Sequence, residues 1–267
     1  MIIKSSGCCL ISILFFFTGC IQASSIEWKD NADIKAIFDT ANVAGTFVLY
    51  DVNAGTFQGY NPGRAEMRFI PASTYKIPHT LIALSTRVVE NVDEILPYGG
   101  NAQPVKAWER DMSLRDAIKI SNVPIYQGIA RRIGIENMHS RLAELAYGNG
   151  NVGKIVDTFW LEGPLAISAV EQTRFLARLA LGNLPVLLAA QDQTREIMLI
   201  ERTNEYGLFA KTGSALRVPP HVGWWVGWVE KSGHVYAFAL NIDISPQGDS
   251  SNRIALGRSC LKALGIL

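Results

Sequence analysis

The chain has 267 residues, 48% of them apolar, with 25 Lys and Arg against 24 Asp and Glu. Its apolar content excludes a disordered chain, and its length supports one large domain or two small lobes. With 18% charged residues and a formal charge near zero, it offers no basic field for nucleic acid and no acidic tail.

Lys4 precedes an apolar run from Cys8 to Phe17. A charged start followed by a core of about ten apolar residues reads as a secretory signal, too short to span a bilayer. Residues 1–23 are therefore assigned to a leader, with cleavage near 19–23. Ala23 offers a small residue before one cut. Phe17-Thr18-Gly19-Cys20 has the form of a lipobox, in which Cys20 becomes a lipidated first residue. The soluble form is preferred over the lipid-anchored one. No second long apolar run follows, so no transmembrane span is expected. Beyond the leader only Cys260 remains, which excludes an internal disulfide. It reads as a small buried residue on a C-terminal helix rather than a reactive thiol.

Residues 27–40 have the spacing of a short amphipathic helix, with Ile34, Ile37 and Phe38 on one side. Gly45 to Asp51 reads as a strand, Asn53 to Gly55 as a turn and Thr56 to Tyr60 as the return strand. The middle is mostly helical. Ser113-x-x-Asp116 and Ser168-x-x-Glu171 look like helix starts, the second a capping box. Ile135, Met138, Leu142 and Leu145 have helical spacing. Residues 147–167 are rich in Gly and lack a period, so a long ordered loop is expected there. Tyr206 to Lys211, Gly223 to Val229 and Val235 to Ile244 read as strands, with Lys231 to Gly233 as a hairpin turn. A last helix covers about 249–264, with Ile254, Gly257, Leu261 and Leu264 inward. Strands at both ends and helices between them predict an α/β (α+β) fold. One antiparallel sheet is built from both chain ends and flanked by helices, with a helical lobe inserted. The sheet lobe takes about 24–72 and 201–267, and the helical lobe about 73–200, in a single catalytic domain.

Ser73-Thr74-Tyr75-Lys76 opens an apolar helix. Residues three apart share a helix face, so a lysine there can take the serine proton if its amine is neutral. An ordinary lysine pKa near 10.4 forbids this, and burial or modification is required. The S-x-x-K spacing recurs by chance at Ser259 to Lys262, so the first copy needs further support. It comes in a fixed order: Ser121-Asn122-Val123, then Tyr147-Gly148-Asn149, Phe159-Trp160-Leu161-Glu162-Gly163 and Lys211-Thr212-Gly213 before Ser214. A serine with S-x-x-K, a second serine and K-T-G is the set of penicillin-interacting serine enzymes.

The sequence resembles the class D (oxacillinase-type) serine β-lactamases from about residue 27 to the C-terminus. The resemblance also rests on Ile167 to Val170 and Trp224 to Trp228. Val123, in place of an S-D-N asparagine, and Glu162 followed by Gly-Pro-Leu-Ala argue against class A. The resemblance implies the serine β-lactamase and penicillin-binding transpeptidase-like fold, a periplasmic location and hydrolysis of penicillin-type β-lactams. It implies Ser73 as nucleophile and Lys76 as an N-carboxylated lysine, with CO₂ or bicarbonate as the source. No separately bound cofactor and no metal are implied. Val123 and Trp160 would wall the Lys76 pocket, the Trp160 N–H holding a carbamate oxygen. Ser121 would relay a proton and Lys211 supply positive charge. The backbone N–H groups of Ser73 and Ser214 would form the oxyanion hole. Thr212, Gly213 and Arg253 would meet the substrate, Arg253 gripping its carboxylate.

Tyr75 stands where many members have Phe, and its phenol needs a partner. Ser214 to Pro220 matches a stretch that helps set substrate preference. His79, His139, His221 and His234 are scattered without metal-ligand spacing. His79 is tempting as a triad base, but Lys76 fills that role. Trp224, Trp225 and Trp228 read as sheet packing rather than a base-stacking platform. A homodimer is compatible with the reading. The rivals are a β-lactam sensor domain and a peptidoglycan transpeptidase or carboxypeptidase, both of which acylate without rapid turnover.

Overall fold

The computed structural model describes residues 27–245 and 252–267. The leader, with Cys20 and both cleavage patterns, lies outside them, as does the start of the last predicted helix. Trp28–Asp30 forms a short strand, β1, where the first helical turn was expected. Asn31 ends it by capping α1 (Ala32–Ala41), its side chain accepting from the N–H groups of Asp33 and Ile34. β2 (Gly45–Asp51) and β3 (Thr56–Tyr60) match the sequence reading. Asp51 Oδ1 holds their turn by accepting from the N–H groups of Asn53 and Ala54, each at 3.0 Å.

A short α2 (Pro62–Glu66) leads to the helical middle: α3 (Lys76–Ser85), α4 (Leu114–Lys119), α5 (Val123–Ile133), α6 (Ile135–Leu145), α7 (Ala169–Ala180) and α8 (Leu188–Met198). Ser113 caps α4, and Ser168 with Glu171 closes the capping box of α7. The end returns through β4 (Leu199–Arg202), β5 (Tyr206–Ala215), β6 (Val222–Lys231) and β7 (His234–Asp243) to α9 (Asn252–Ala263).

The seven strands form one sheet in the order β1-β3-β2-β7-β6-β5-β4. The expected antiparallel sheet is antiparallel except at one edge, where β1 runs parallel to β3. Both faces of its centre are covered. Along β6, Trp224, Val226 and Trp228 enter the core shared with α3 to α8, while Trp225 and Val229 enter the core under α1 and α9. All three tryptophans are buried, as packing residues should be. Cys260 is buried on α9, and burial pushes its thiol up to about 12, so it stays protonated.

Gly257 sets the seat of α9. A β-carbon there would meet Trp225 Cε3 at 2.2 Å. Gly257→Val is therefore expected to lower stability by roughly 1–3 kcal/mol through overpacking. A denaturant midpoint equal to that of the parent would contradict this contact. The same seat explains a correction: Ile254, expected inward, is 42% exposed, and Leu256 and Cys260 face the sheet together with Leu261, which was expected there.

Residues 147–167 form the expected long loop, without a helix or a regular strand. The Tyr147-Gly-Asn149 motif pins it. Asn149 Nδ2 donates to Pro164 O at 2.9 Å, and Asn149 Oδ1 accepts from the Ala166 N–H at 3.1 Å. Gly148 has φ +56°, and a β-carbon there would lie 2.3 Å from Ala166 O. The loop ends in a bridge between Ile167 and Phe69, on the segment that leads to Ser73.

Candidate active site

Ser73 sits in a 3-10 turn, Ala72–Tyr75, immediately before α3. The expected i, i+3 pairing is present, with Lys76 Nζ donating to Ser73 Oγ at 3.0 Å. Ala72 occupies the left-handed region at φ +48°, strain that only a well-held turn sustains. The hold comes from three sides. Thr74 Oγ1 donates to Pro71 O at 2.8 Å and accepts from Gln172 Nε2 of α7 at 2.9 Å. Trp224 Nε1 of β6 donates to Ile70 O at 3.0 Å. Gly213 of β5 lies so close that a β-carbon would be 2.9 Å from Pro71 O and 3.0 Å from Thr74 Cγ2. The glycine of K-T-G therefore serves the approach of the strand to the serine turn. Lys211 to Gly213 does not end its strand as expected. β5 runs on to Ala215 because Gly213 and Ser214 pair with Trp224 and Gly223.

Lys211 Nζ donates to Ser121 Oγ at 2.5 Å and to Thr212 O at 2.9 Å. Ser121, at φ +55°, precedes α5, whose Asn122 cap accepts from the Ile125 N–H. Arg253 Nη1 of α9 donates to Ser214 Oγ at 3.0 Å. Ser73, Ser121, Thr212, Ser214 and Arg253 are partly exposed, while Lys76, Lys211, Val123 and Trp160 are buried beneath them.

Among the described residues, no carboxylate forms an ion pair with either buried lysine. Burial, and next the Lys211 charge, hold the Lys76 amine well below the ordinary lysine range. Burial and the Arg253 guanidinium lower Lys211 to about 7. The site thus contains an amine whose neutral form burial favours, hydrogen-bonded to a serine, with Lys211 and Arg253 along one side.

Trp160 is fully buried and stacks on Tyr75 at 5.6 Å between ring centres. Its indole N–H has no hydrogen-bond partner among the described residues. Val123 belongs to the same core as Trp160 and Tyr75. The Tyr75 phenol donates to Met138 Sδ at 3.1 Å, and burial keeps it well above the ordinary tyrosine range. Glu162 pairs with Arg217 Nη1 at 2.6 Å and ties the long loop to the segment after β5.

The sequence reading missed Gln172, whose signal was only its place on the inner face of α7. It also set His79 aside. His79 is fully buried, and burial and the Lys76 charge lower it to about 3, so its ring is neutral. Its signal was its position three residues after Lys76 on one helix.

Residues 45–261 match the family described as the penicillin binding protein transpeptidase domain. The chain is 38% identical to Beta-lactamase OXA-5 of Pseudomonas aeruginosa over 258 residues, covering 96% of each. It is 37% identical to Beta-lactamase OXA-48 of Klebsiella pneumoniae, covering 94% of this chain and 96% of that one. The crystal structure of FUS-1 (OXA-85), a class D β-lactamase from Fusobacterium nucleatum subsp. polymorphum, is similar at a TM-score of 0.87. Its sequence identity is 41%, and the match covers 90% of this chain and 100% of that one. The class D β-lactamase YbXI from Nostoc gives 0.85 and 40%, covering 89% and 100%. With a serine and its lysine on the transpeptidase fold, and with these relatives, the chain belongs to the class D serine β-lactamases.

Proposed function

We propose that the protein opens the β-lactam ring of penicillin-type antibiotics through a Ser73 acyl-enzyme, and so confers resistance to them. The observation that carries this reading is the 3.0 Å contact between Ser73 Oγ and an amine buried without a carboxylate. Such an amine is neutral and can accept the hydroxyl proton.

The residues also fit a CO₂-derived carbamate on Lys76. A neutral amine is what CO₂ requires, Val123 and Trp160 supply apolar walls, and the unpartnered Trp160 N–H is a donor. When bound, that group replaces the amine by an anionic proton acceptor. Ser73 Oγ attacks the lactam carbonyl carbon while its proton passes to the Lys76 side chain. The backbone N–H groups of Ser73 and Ser214 meet the developing oxyanion. Ser121, held by Lys211, passes a proton to the lactam nitrogen as its bond to carbon breaks. Lys211, Thr212 and Arg253 bind the substrate carboxylate. Water then attacks the ester, its proton going to the Lys76 side chain, and Ser73 is released.

Trp160→Phe keeps an aromatic ring, though a smaller one, and deletes the donor. It is expected to lower kcat about tenfold at ambient CO₂, with recovery on added bicarbonate. Absence of any bicarbonate response in this variant would count against the Trp160 role. The whole reading is tested by penicillin hydrolysis with purified residues 24–267, with and without bicarbonate. Many turnovers support it. A single stoichiometric burst that stalls in bicarbonate would assign the protein to sensing or to peptidoglycan chemistry. Among the described residues no helix is long and apolar enough to cross a membrane. The leader supports a periplasmic enzyme, soluble or anchored through Cys20.

A further inference from the structure

We propose that His79 is a positioning residue that supplies a second N–H, beside that of Trp160, to the CO₂-derived group on Lys76. The inference rests on the carbamate reading above. His79 lies on α3 three residues after Lys76, so the two share a helix face. Its ring is enclosed by Trp160 edge-on at 5.2 Å, Tyr126 edge-on at 5.2 Å and Tyr75 at 5.4 Å. Lys76 Nζ lies 5.2 Å from the centre of the same Tyr126 ring. The histidine and the lysine thus meet one aromatic wall.

Inside this cage three buried polar atoms have no hydrogen-bond partner among the described residues: His79 Nδ1, His79 Nε2 and Trp160 Nε1. A neutral imidazole carries one donor and one acceptor, and burying both unpaired is costly. The neighbouring phenols are already engaged. Tyr126 Oη shares a 2.9 Å hydrogen bond with Thr80, and the Tyr75 phenol is on Met138. Among the groups packed around His79, Lys76 is the one that can gain acceptor oxygens. Burial first, and then any charge on Lys76, keeps the His79 ring neutral, and an unmodified lysine offers it no acceptor oxygen. Carboxylation of Lys76 reverses that polarity and provides acceptors for both orphaned N–H groups.

The test measures CO₂ uptake without substrate. ¹³C-bicarbonate is titrated into the wild type, His79→Phe, His79→Leu and His79→Asn, and the carbamate resonance is followed by NMR. Thermal unfolding confirms that each variant is folded. His79→Phe fills the cage without an N–H and is expected to bind CO₂ about tenfold more weakly. His79→Leu is expected to behave in the same way, so either variant suffices if the other does not fold. His79→Asn retains N–H donors and is expected to stay close to the wild type. A His79→Phe or His79→Leu titration equal to that of the wild type overturns the inference alone. Equal loss in all three variants also overturns it, because packing would then explain the effect. A wild type without the resonance overturns both this inference and the carbamate reading.

Discussion

Lys76→Ala is expected to leave a folded protein in which penicillin, once attached to Ser73, stays attached. Lys76 Nζ is the group in contact with Ser73 Oγ, and it is fully buried with no carboxylate paired to it among the described residues. Removing it deletes the proton acceptor for attack by Ser73 and for attack by water. General-base catalysis contributes roughly 10²–10⁴ to a rate, so kcat should fall by at least that range. Mass spectrometry should show one penicillin equivalent retained long after mixing. The fold should survive, because a buried amine is replaced by a smaller apolar group and the side chain it hydrogen-bonds, Ser73, is at the rim of the site. Ordinary steady-state turnover by the variant would remove Lys76 from the mechanism.

A second large effect is expected in the pH profile, from Lys211. Burial and Arg253 lower it to about 7, which favours its neutral form above that pH. A substrate carboxylate prefers the cation, so kcat/KM for a penicillin should fall above about pH 7, approaching tenfold per pH unit. Binding of that carboxylate favours the protonated lysine, so the limb in kcat should lie at higher pH than the limb in kcat/KM. Lys211→Ala should abolish the limb and lower kcat/KM by about 10²-fold, since it removes the cation and the partner of Ser121 together. A flat kcat/KM between about pH 7 and 9 in the wild-type enzyme would show that Lys211 is not the titrating group.

The candidate catalytic side chains could be picked out in the sequence because the chemistry proposed for them restricts both residue type and spacing. A serine and a lysine three apart had to share a face, and Ser73 and Lys76 do. Strands with alternating or fully apolar patterns, such as Gly45 to Asp51, were legible for the same local reason. What the sequence did not disclose depends on distant neighbours. β1 has three residues and exists only because β3 offers an edge. The continuation of β5 past Gly213 is dictated by pairing with Trp224 and Gly223. Ile254 had helical spacing, yet the contact of Gly257 with Trp225 turned it to solvent. His79 looked like a spare base, and only the cage around it reveals two nitrogens without partners among the described residues.

The place of β2 in the sheet has a consequence for how the molecule comes into being. β2 lies between β3 and β7, with Val48 opposite Ala239. Its second partner is therefore made some 191 residues later, from Val48 to Ala239. A polypeptide that emerges N-terminus first can form the β2–β3 hairpin early but cannot close the centre of the sheet until the last hairpin arrives. Closing so long a loop is slow, and the interval leaves apolar strands unpaired. The same order delays activity. The Ser73 turn is held by Gly213 and Trp224, so Ser73, made early, becomes organised only after β5 and β6 have followed. A chain cut before β7 loses the neighbour of both β2 and β6, and with it the support of a serine that lies in its first third.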